Sequence, residues 1–231
     1  DLTQQKALEL TRKYFGGWKS GNYVPNIPAE PQQMESRSAT VDWPSPTLPL
    51  VSIGFHGPAY SDEKKDKAAL DLLATIAFGP ASELYQQLIL REQKADSLNA
   101  NFGNQIDPDL FTVGARVKDP RDVDYVREQI LATFQRLTDE TVDQAKLEAS
   151  RSRLRYAFAL RMNSSSAIAN ALAPYIGLRR TPETINKLFD LYREITPEDI
   201  REMATRYFTE KNRTIVTLQY KPLNKDSKSK D

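Results

Sequence analysis

The chain has 231 residues, 32 Lys and Arg against 31 Asp and Glu, and a formal net charge of +1. That balance excludes the strongly basic surface by which proteins hold nucleic-acid phosphates, and no apolar run approaches the roughly 18–20 residues of a membrane-spanning helix. An apolar fraction of 39% and an aromatic fraction of 9% suffice for one large packed core.

Residues 3–18 open with a helical pattern, Ala7, Leu8, Leu10 and Tyr14, that should stop at Gly16-Gly17. Residues 19–38 carry Gly21, Pro25, Pro28 and Pro31 without a sustained period and read as an extended linker. Ala39, Val41 and Trp43 then alternate, as do Val51, Ile53 and Phe55 beyond three prolines, which predicts two strands. A helix follows Ser61 with Ala69, Leu72, Leu73 and Ile76 on its buried stripe, and Gly79-Pro80 ends it. The next helix has Leu84, Leu88 and Arg91 on one face at α-helical spacing.

Leu98, Ala100 and Phe102, then Phe111, Val113, Ala115 and Val117, alternate on either side of a turn-rich stretch and predict a hairpin. Val126, Ile130, Phe134 and Leu137 mark one helix, and residues 139–161 a long charged one that is interrupted at Ser164-Ser165-Ser166. Thr181-Pro182-Glu183 and Thr196-Pro197-Glu198-Asp199 combine a capping Thr, a Pro for the first turn and acids for the helix dipole, predicting two more helices. Thr214, Val216, Leu218 and Tyr220 form a closing strand before a polar tail. Segregated strands and helices in this order imply an α+β fold, an antiparallel sheet backed by helices.

Chemistry-bearing residues are scarce. Cys is absent and His56 is the single histidine, so a zinc centre built on thiolate or imidazole would have at most one such ligand here. The glycine-rich phosphate cradles and the G-x-S-x-G turn are also absent. Ser164–Ser166 lacks a neighbouring base and reads as a helix break. His56, before Gly57-Pro58, reads as a polar strand end, and Asp107-Pro108-Asp109 as a turn with too few oxygens for a calcium loop. Arg91 has two readings. It can pair or cap at its helix end, or its planar fork can donate to carbonyl oxygens of a chain lying across the sheet. The start at Asp1, with no Met and no basic-then-apolar leader, fits a processed protein or an excised fragment, and the compartment stays open between periplasm and cytoplasm.

Three segments in this order resemble the pitrilysin/insulinase family of zinc peptidases, which includes mitochondrial processing peptidase and the core proteins of the cytochrome bc1 complex. The stretch Phe78-Gly-Pro-Ala-Ser-Glu-Leu-Tyr-Gln-Gln-Leu-Ile-Leu-Arg-Glu92 is similar to a family helix with a glycine start, a Ser-x-Leu-aromatic core and a Leu-Arg-Glu ending. Asp109-Leu-Phe-Thr-Val113 is similar to the strand pair that follows it. Ala7-Leu-Glu-Leu with Lys13-Tyr-Phe-Gly-Gly-Trp18 looks like the helix that ends one family domain before a linker enters the next.

The resemblance implies a metallopeptidase-like domain of the processing-peptidase or LuxS type. In the family two homologous domains form one half, two halves enclose a chamber, and the zinc motif H-x-x-E-H lies in the first domain of the active half. No such motif occurs here, so the implied assignment is the second, non-catalytic domain. Residues 1–18 are then a remnant helix of the preceding domain, 19–38 the linker, 39–222 the inactive domain and 223–231 the tail. The implied role is chamber wall and interdomain contact, with zinc supplied by a catalytic partner domain or subunit acting on a peptide substrate. A structural subunit with no proteolytic role is the alternative. Family halves that hold substrate carry an Arg and, seven residues on, a Tyr. Arg91 matches the first position, whereas the second is Leu98, which has no hydroxyl to donate.

Overall fold

The computed structural model describes residues 2–19, 21–22 and 26–222, and the chain divides into two compact units, Asp1–Gln32 and Gln33–Asp231. The expected tail 223–231 and linker positions 20 and 23–25 lie outside the described residues. In the first unit, helix α1 spans Gln4–Phe15. Thr3 caps it by accepting from the Lys6 backbone N–H at 3.2 Å, and the Gly16 N–H closes it on the Arg12 carbonyl. None of its residues is buried, and Leu8, Tyr14 and Phe15 stand exposed.

The second unit is built on five strands, β1 (Arg37–Trp43), β2 (Leu50–His56), β3 (Ala95–Asn101), β4 (Leu110–Val117) and β5 (Arg213–Tyr220), in the order β1-β5-β2-β4-β3. The predicted hairpin is β3–β4, with Leu98 opposite Ala115 and Ala100 opposite Val113. Three of the four pairings are antiparallel, as the segregated elements predict. The fourth corrects that expectation, because β1 runs parallel to β5. The closing strand inserts between the first two, so its neighbours β1 and β2, which run in opposite senses, cannot both oppose it. Gln33, read from sequence as linker, is 5% exposed and locks this insertion. Its side-chain nitrogen donates to the carbonyls of Lys211 and Arg213 at 2.9 Å, flanking the start of β5.

Val51, Ile53, Phe55, Phe111, Val113 and Ala115 are buried on one sheet face under α2 (Lys65–Phe78) and α4 (Val123–Asp139). Phenylalanines converge there from several elements. Phe134 of α4 lies 4.8 Å from Phe55, 5.0 Å from Phe78 and 4.7 Å from Phe208 by ring centroid. Helix α2 also packs against α5 (Gln144–Leu160), α7 (Thr184–Glu194) and α8 (Pro197–Tyr207). It is therefore covered nearly all round, and its buried residues include Lys67 along with Leu70, Leu72 and Leu73.

Burying Lys67 requires partners for its ammonium. It pairs with Asp71 one turn on, donates to the Phe102 carbonyl at 3.3 Å and sits 4.5 Å from the Phe102 ring centroid. The Tyr192 hydroxyl of α7 donates to the other Asp71 oxygen at 2.7 Å. Tyr207 of α8 donates likewise to Asp66 at 2.5 Å. Burial and then the Asp66 carboxylate push Tyr207 up to about 12, and burial and then Asp71 push Tyr192 well above the usual tyrosine value. Above the ordinary tyrosine value near 10, the unfolded chain therefore loses phenolic protons that the folded chain keeps, and stability falls as pH rises from there towards about 12. Denaturation midpoints should decline over that window, and Tyr207→Phe should flatten the decline. A midpoint independent of pH over the same range contradicts the assignment.

Helix α8 starts as its sequence predicts. Thr196 and Asp199 form a reciprocal capping box, and Pro197 occupies the first turn. Three helical expectations are corrected. The charged helix predicted for 139–161 is broken. Glu140 is extended, and Asp143 starts α5 anew by accepting from the Lys146 N–H at 2.9 Å. The Thr181 hydroxyl makes a local turn, and α7 begins only at Thr184. Helix α6 (Ser165–Arg179) has no counterpart among the predicted elements. Its residues are apolar on every side, it contains Pro174, and it therefore lacks the polar–apolar period by which a helix is read.

Candidate functional site

The segment that carries the sequence candidates starts at Ser82, whose hydroxyl accepts from the Tyr85 N–H at 3.1 Å. One short turn, α3 (Glu83–Tyr85), widens at once into a π-helical stretch, Gln86–Arg91. The wider turn shows in the Glu92 N–H, which donates to the carbonyl of Gln87 at 2.9 Å, five residues back. It overturns the expected common face of Leu84, Leu88 and Arg91. Leu84 and Leu88 are buried, but the added residue per turn rotates Arg91 out to solvent, where it pairs with Glu83. A hydrogen bond from Arg91, then its charge, holds the Glu83 carboxyl below its usual range. Both side chains are 58% exposed, so the pair contributes little to stability and is open to exchange.

The chain leaves this turn through Gln93 in the left-handed region, φ 52°, and enters β3. A polar cluster fastens the turn to α4. The Gln87 amide donates to the Tyr125 hydroxyl at 2.9 Å, Tyr125 donates to Glu92 at 2.9 Å, and Lys94 pairs with Asp122 at 2.5 Å beneath the Tyr125 ring. Gln87 and Glu92 lie within the quoted motif, but Lys94, Asp122 and Tyr125 carry no signal in the sequence, since their roles depend on residues 28 to 38 positions apart meeting at the start of α4. Leu98 is 5% exposed and belongs to the core, on the same sheet side as Ala115.

The other chemistry-bearing residues are apart from this segment. His56 ends β2 opposite Leu110, half-buried, and its carbonyl accepts from the Asn212 amide at 2.9 Å. Ser164 caps α6 by accepting from the Ala167 N–H. Asp109 holds the β3–β4 turn, its carbonyl accepting from the Gly57 N–H at 2.8 Å. Gly57 is required there, because a Cβ would lie 2.8 Å from the Phe102 ring. Among the described residues, no three His, Cys, Asp or Glu side chains converge on a common point that would hold a metal ion. With no thiolate and one imidazole, the donor set does not fit a catalytic zinc.

The second face of the sheet, opposite the one on which the helices pack, carries a different set of residues. The register puts Ser52 beside Gly114, Gly114 beside Asn99, and Gly54 beside Thr112, a floor of short polar side chains. Towards the β1 edge an apolar band takes over, Leu50 beside Leu218, Leu218 beside Val41, and Trp43 beside Tyr220. Leu50, Val41, Trp43 and Tyr220 are all more than 40% exposed. Alternation in β1 and β5 is legible in sequence, but which face it serves depends on the insertion of β5.

A mixed five-stranded sheet with helices packed on one face defines an α+β domain. Residues 1–154 match the family model described as the peptidase M16 inactive domain. The chain belongs to that family, the non-catalytic domain of the pitrilysin/insulinase peptidases, in which zinc belongs to the catalytic partner. It is similar to a protease from Helicobacter pylori, at 24% identity and a TM-score of 0.84 over 95% of this chain and 53% of that one. The inactive peptidase domain of a candidate zinc protease from Bordetella parapertussis shares 26% identity, with a TM-score of 0.66 over 79% of this chain and 97% of that one. The periplasmic protease PqqL from Escherichia coli matches over 96% of this chain and 24% of its own, at 16% identity and a TM-score of 0.69. The first and third likenesses concern the fold. The chain spans about half the length of the Helicobacter pylori chain. No curated protein sequence matches it.

Proposed function

We propose that this domain forms part of the substrate-chamber wall of a zinc metalloendopeptidase and makes its interdomain contacts, while another domain or subunit supplies the metal and the catalytic base. The carrying observation is the sheet face opposite the helices, half-exposed at Ser52 and Thr112 and exposed at Asn99, Val41, Trp43 and Tyr220. Short polar side chains let an extended peptide approach closely, and the neighbouring apolar band offers burial without selecting one side chain. A surface of that kind retains many sequences and binds none tightly, as a chamber requires.

Of the two sequence candidates, a peptide contact is retained for Arg91. Its guanidinium is exposed, and a peptide carbonyl or carboxylate can take it from Glu83. Leu98 is buried and contributes packing. The burial of Leu98 and the pairing of Arg91 also favour the second reading, a structural subunit with no proteolytic role. A photo-crosslinking residue at Ser52 in the full-length protein separates the two, since it should capture a bound peptide where one at Lys187 of α7 does not. Equal capture, or none, contradicts the chamber reading. In the active full-length protein, Arg91→Ala should raise KM several-fold with kcat little changed. Unaltered kinetics would leave Arg91 as the ion-pair partner of Glu83 alone.

A further inference from the structure

Helices α5 and α7 enclose a cleft of about 690 Å3 whose apolar walls include Phe158, Met162, Ile185 and Phe189. The Phe158 and Phe189 ring centroids lie 5.0 Å apart. Charge at this cleft is unbalanced. Arg151 pairs with Glu148 and donates to the carbonyls of Tyr192 and Ile195, and Arg193 pairs with Asp190. Arg155 lines the same cleft and has no carboxylate partner among the described residues. The charged residues lining the cleft are thus Arg151, Arg155 and Arg193 against Glu148 and Asp190, which leaves Arg155 as the unpaired charge. Tyr156 and Leu160, one turn apart on α5, are 67% and 59% exposed beside the exposed Arg153 and Arg155. An exposed apolar pair beside an unpaired cation at the rim of an apolar cleft is a surface that an amphipathic partner can cover.

We propose that the α5–α7 cleft docks an acidic amphipathic helix of a second polypeptide. An apolar side chain of that helix enters beside Phe158 and Phe189, and a carboxylate engages Arg155. The guanidinium fork matches a carboxylate in two parallel hydrogen bonds, which gives the contact direction as well as charge. Two helices flanking an apolar floor are the geometry that accepts a third helix through its i, i+3, i+4 and i+7 side chains. A second copy of this chain is disfavoured, because apposing two such clefts would bring two unpaired Arg155 guanidinium groups together. The site lies on helices and is independent of the chamber-wall reading, which rests on the sheet face.

The test uses the purified chain and two fluorescent helical peptides of about 18 residues, identical in their Leu and Phe stripe and flanked either by Glu or by Lys. The Glu-flanked peptide should bind roughly tenfold or more tightly than the Lys-flanked one, with an affinity that falls as salt rises. Arg155→Glu, at an exposed position, should leave the circular dichroism spectrum unchanged and reverse the preference between the peptides, whereas Arg155→Lys keeps its sign with weaker binding. Backbone amide shifts should concentrate at Phe158, Met162 and Phe189. Binding of neither peptide, equal binding of both, or an unaltered affinity in Arg155→Glu overturns the proposal. Self-association that depends on Arg155 would overturn it in favour of a second copy, and Arg155-dependent binding to phosphatidylglycerol vesicles in place of the peptide would overturn it in favour of a lipid surface.

Discussion

Replacing Asp71 by Asn is expected to destabilise the domain by about 3–5 kcal/mol, a large share of the 5–15 kcal/mol typical of a folded domain. The substitution keeps the shape of the side chain but removes the anion facing an ammonium that is 2% exposed. The remaining partners of Lys67 are the Phe102 carbonyl and ring, neither of which carries a formal charge. Lys67→Met should cost less, because Asp71 keeps the Tyr192 hydroxyl and is 18% exposed, so water can reach it. Combining Lys67→Met with Asp71→Asn should recover most of the loss, since removing both charges also removes the penalty for an unpaired one. Urea denaturation of the three variants reads this directly. If Asp71→Asn costs no more than Lys67→Met, the ammonium is not dependent on its carboxylate.

Phe134→Ala is expected to cost about 3–5 kcal/mol for a different reason. The ring is 3% exposed and lies at the junction of β2, α2, α4 and the turn after α8, in contact with Phe55, Phe78 and Phe208. Those neighbours are held by separate elements and cannot close on the space together, so the cavity term adds to the lost transfer energy. Phe134→Leu should cost less than about 1.5 kcal/mol, since it retains most of the volume. Guanidinium denaturation that shows a loss below about 1 kcal/mol for Phe134→Ala would contradict a shared aromatic junction.

The elements that were legible in the sequence are those with one wet face and one dry face. The β3–β4 hairpin, the Val126–Leu137 stripe of α4 and the Thr196 cap of α8 each follow from local patterns that the packed structure does not override. Helices α5 and α6 were misread or missed for the opposite reason. Their apolar residues are spread round the helix, so no period marks their limits, and only the capping acceptance by Asp143 and Ser164 sets their starts. The parallel pairing of β1 was beyond reach because it depends on a strand that arrives some 175 residues later, Arg37 opposite Thr214.

The candidate site was less legible than the fold. Arg91 is legible as a candidate but its face is not, since α-helical spacing assumes a turn that this segment does not make. Glu83, its ion-pair partner, is eight residues away, which in an α-helix is about 12 Å along the axis and beyond the i, i+3 and i, i+4 neighbours that a sequence reading pairs. The bare sheet face was hidden for another reason. An exposed Val41 or Trp43 looks in sequence like any strand residue awaiting burial. Its lack of cover is a property of the assembled sheet.

The proposed role requires that this domain hold no catalytic metal of its own and that any hydrolysis depend on a partner domain or subunit. The most direct measurement is the zinc content and peptidase activity of the purified chain, loaded with excess zinc, dialysed and incubated with an unstructured peptide. No stoichiometric zinc and no metal-dependent cleavage are expected, since one imidazole and no thiolate make a poor donor set for a tight zinc site. One tightly held zinc per chain, with peptide cleavage abolished by a chelator, would contradict it.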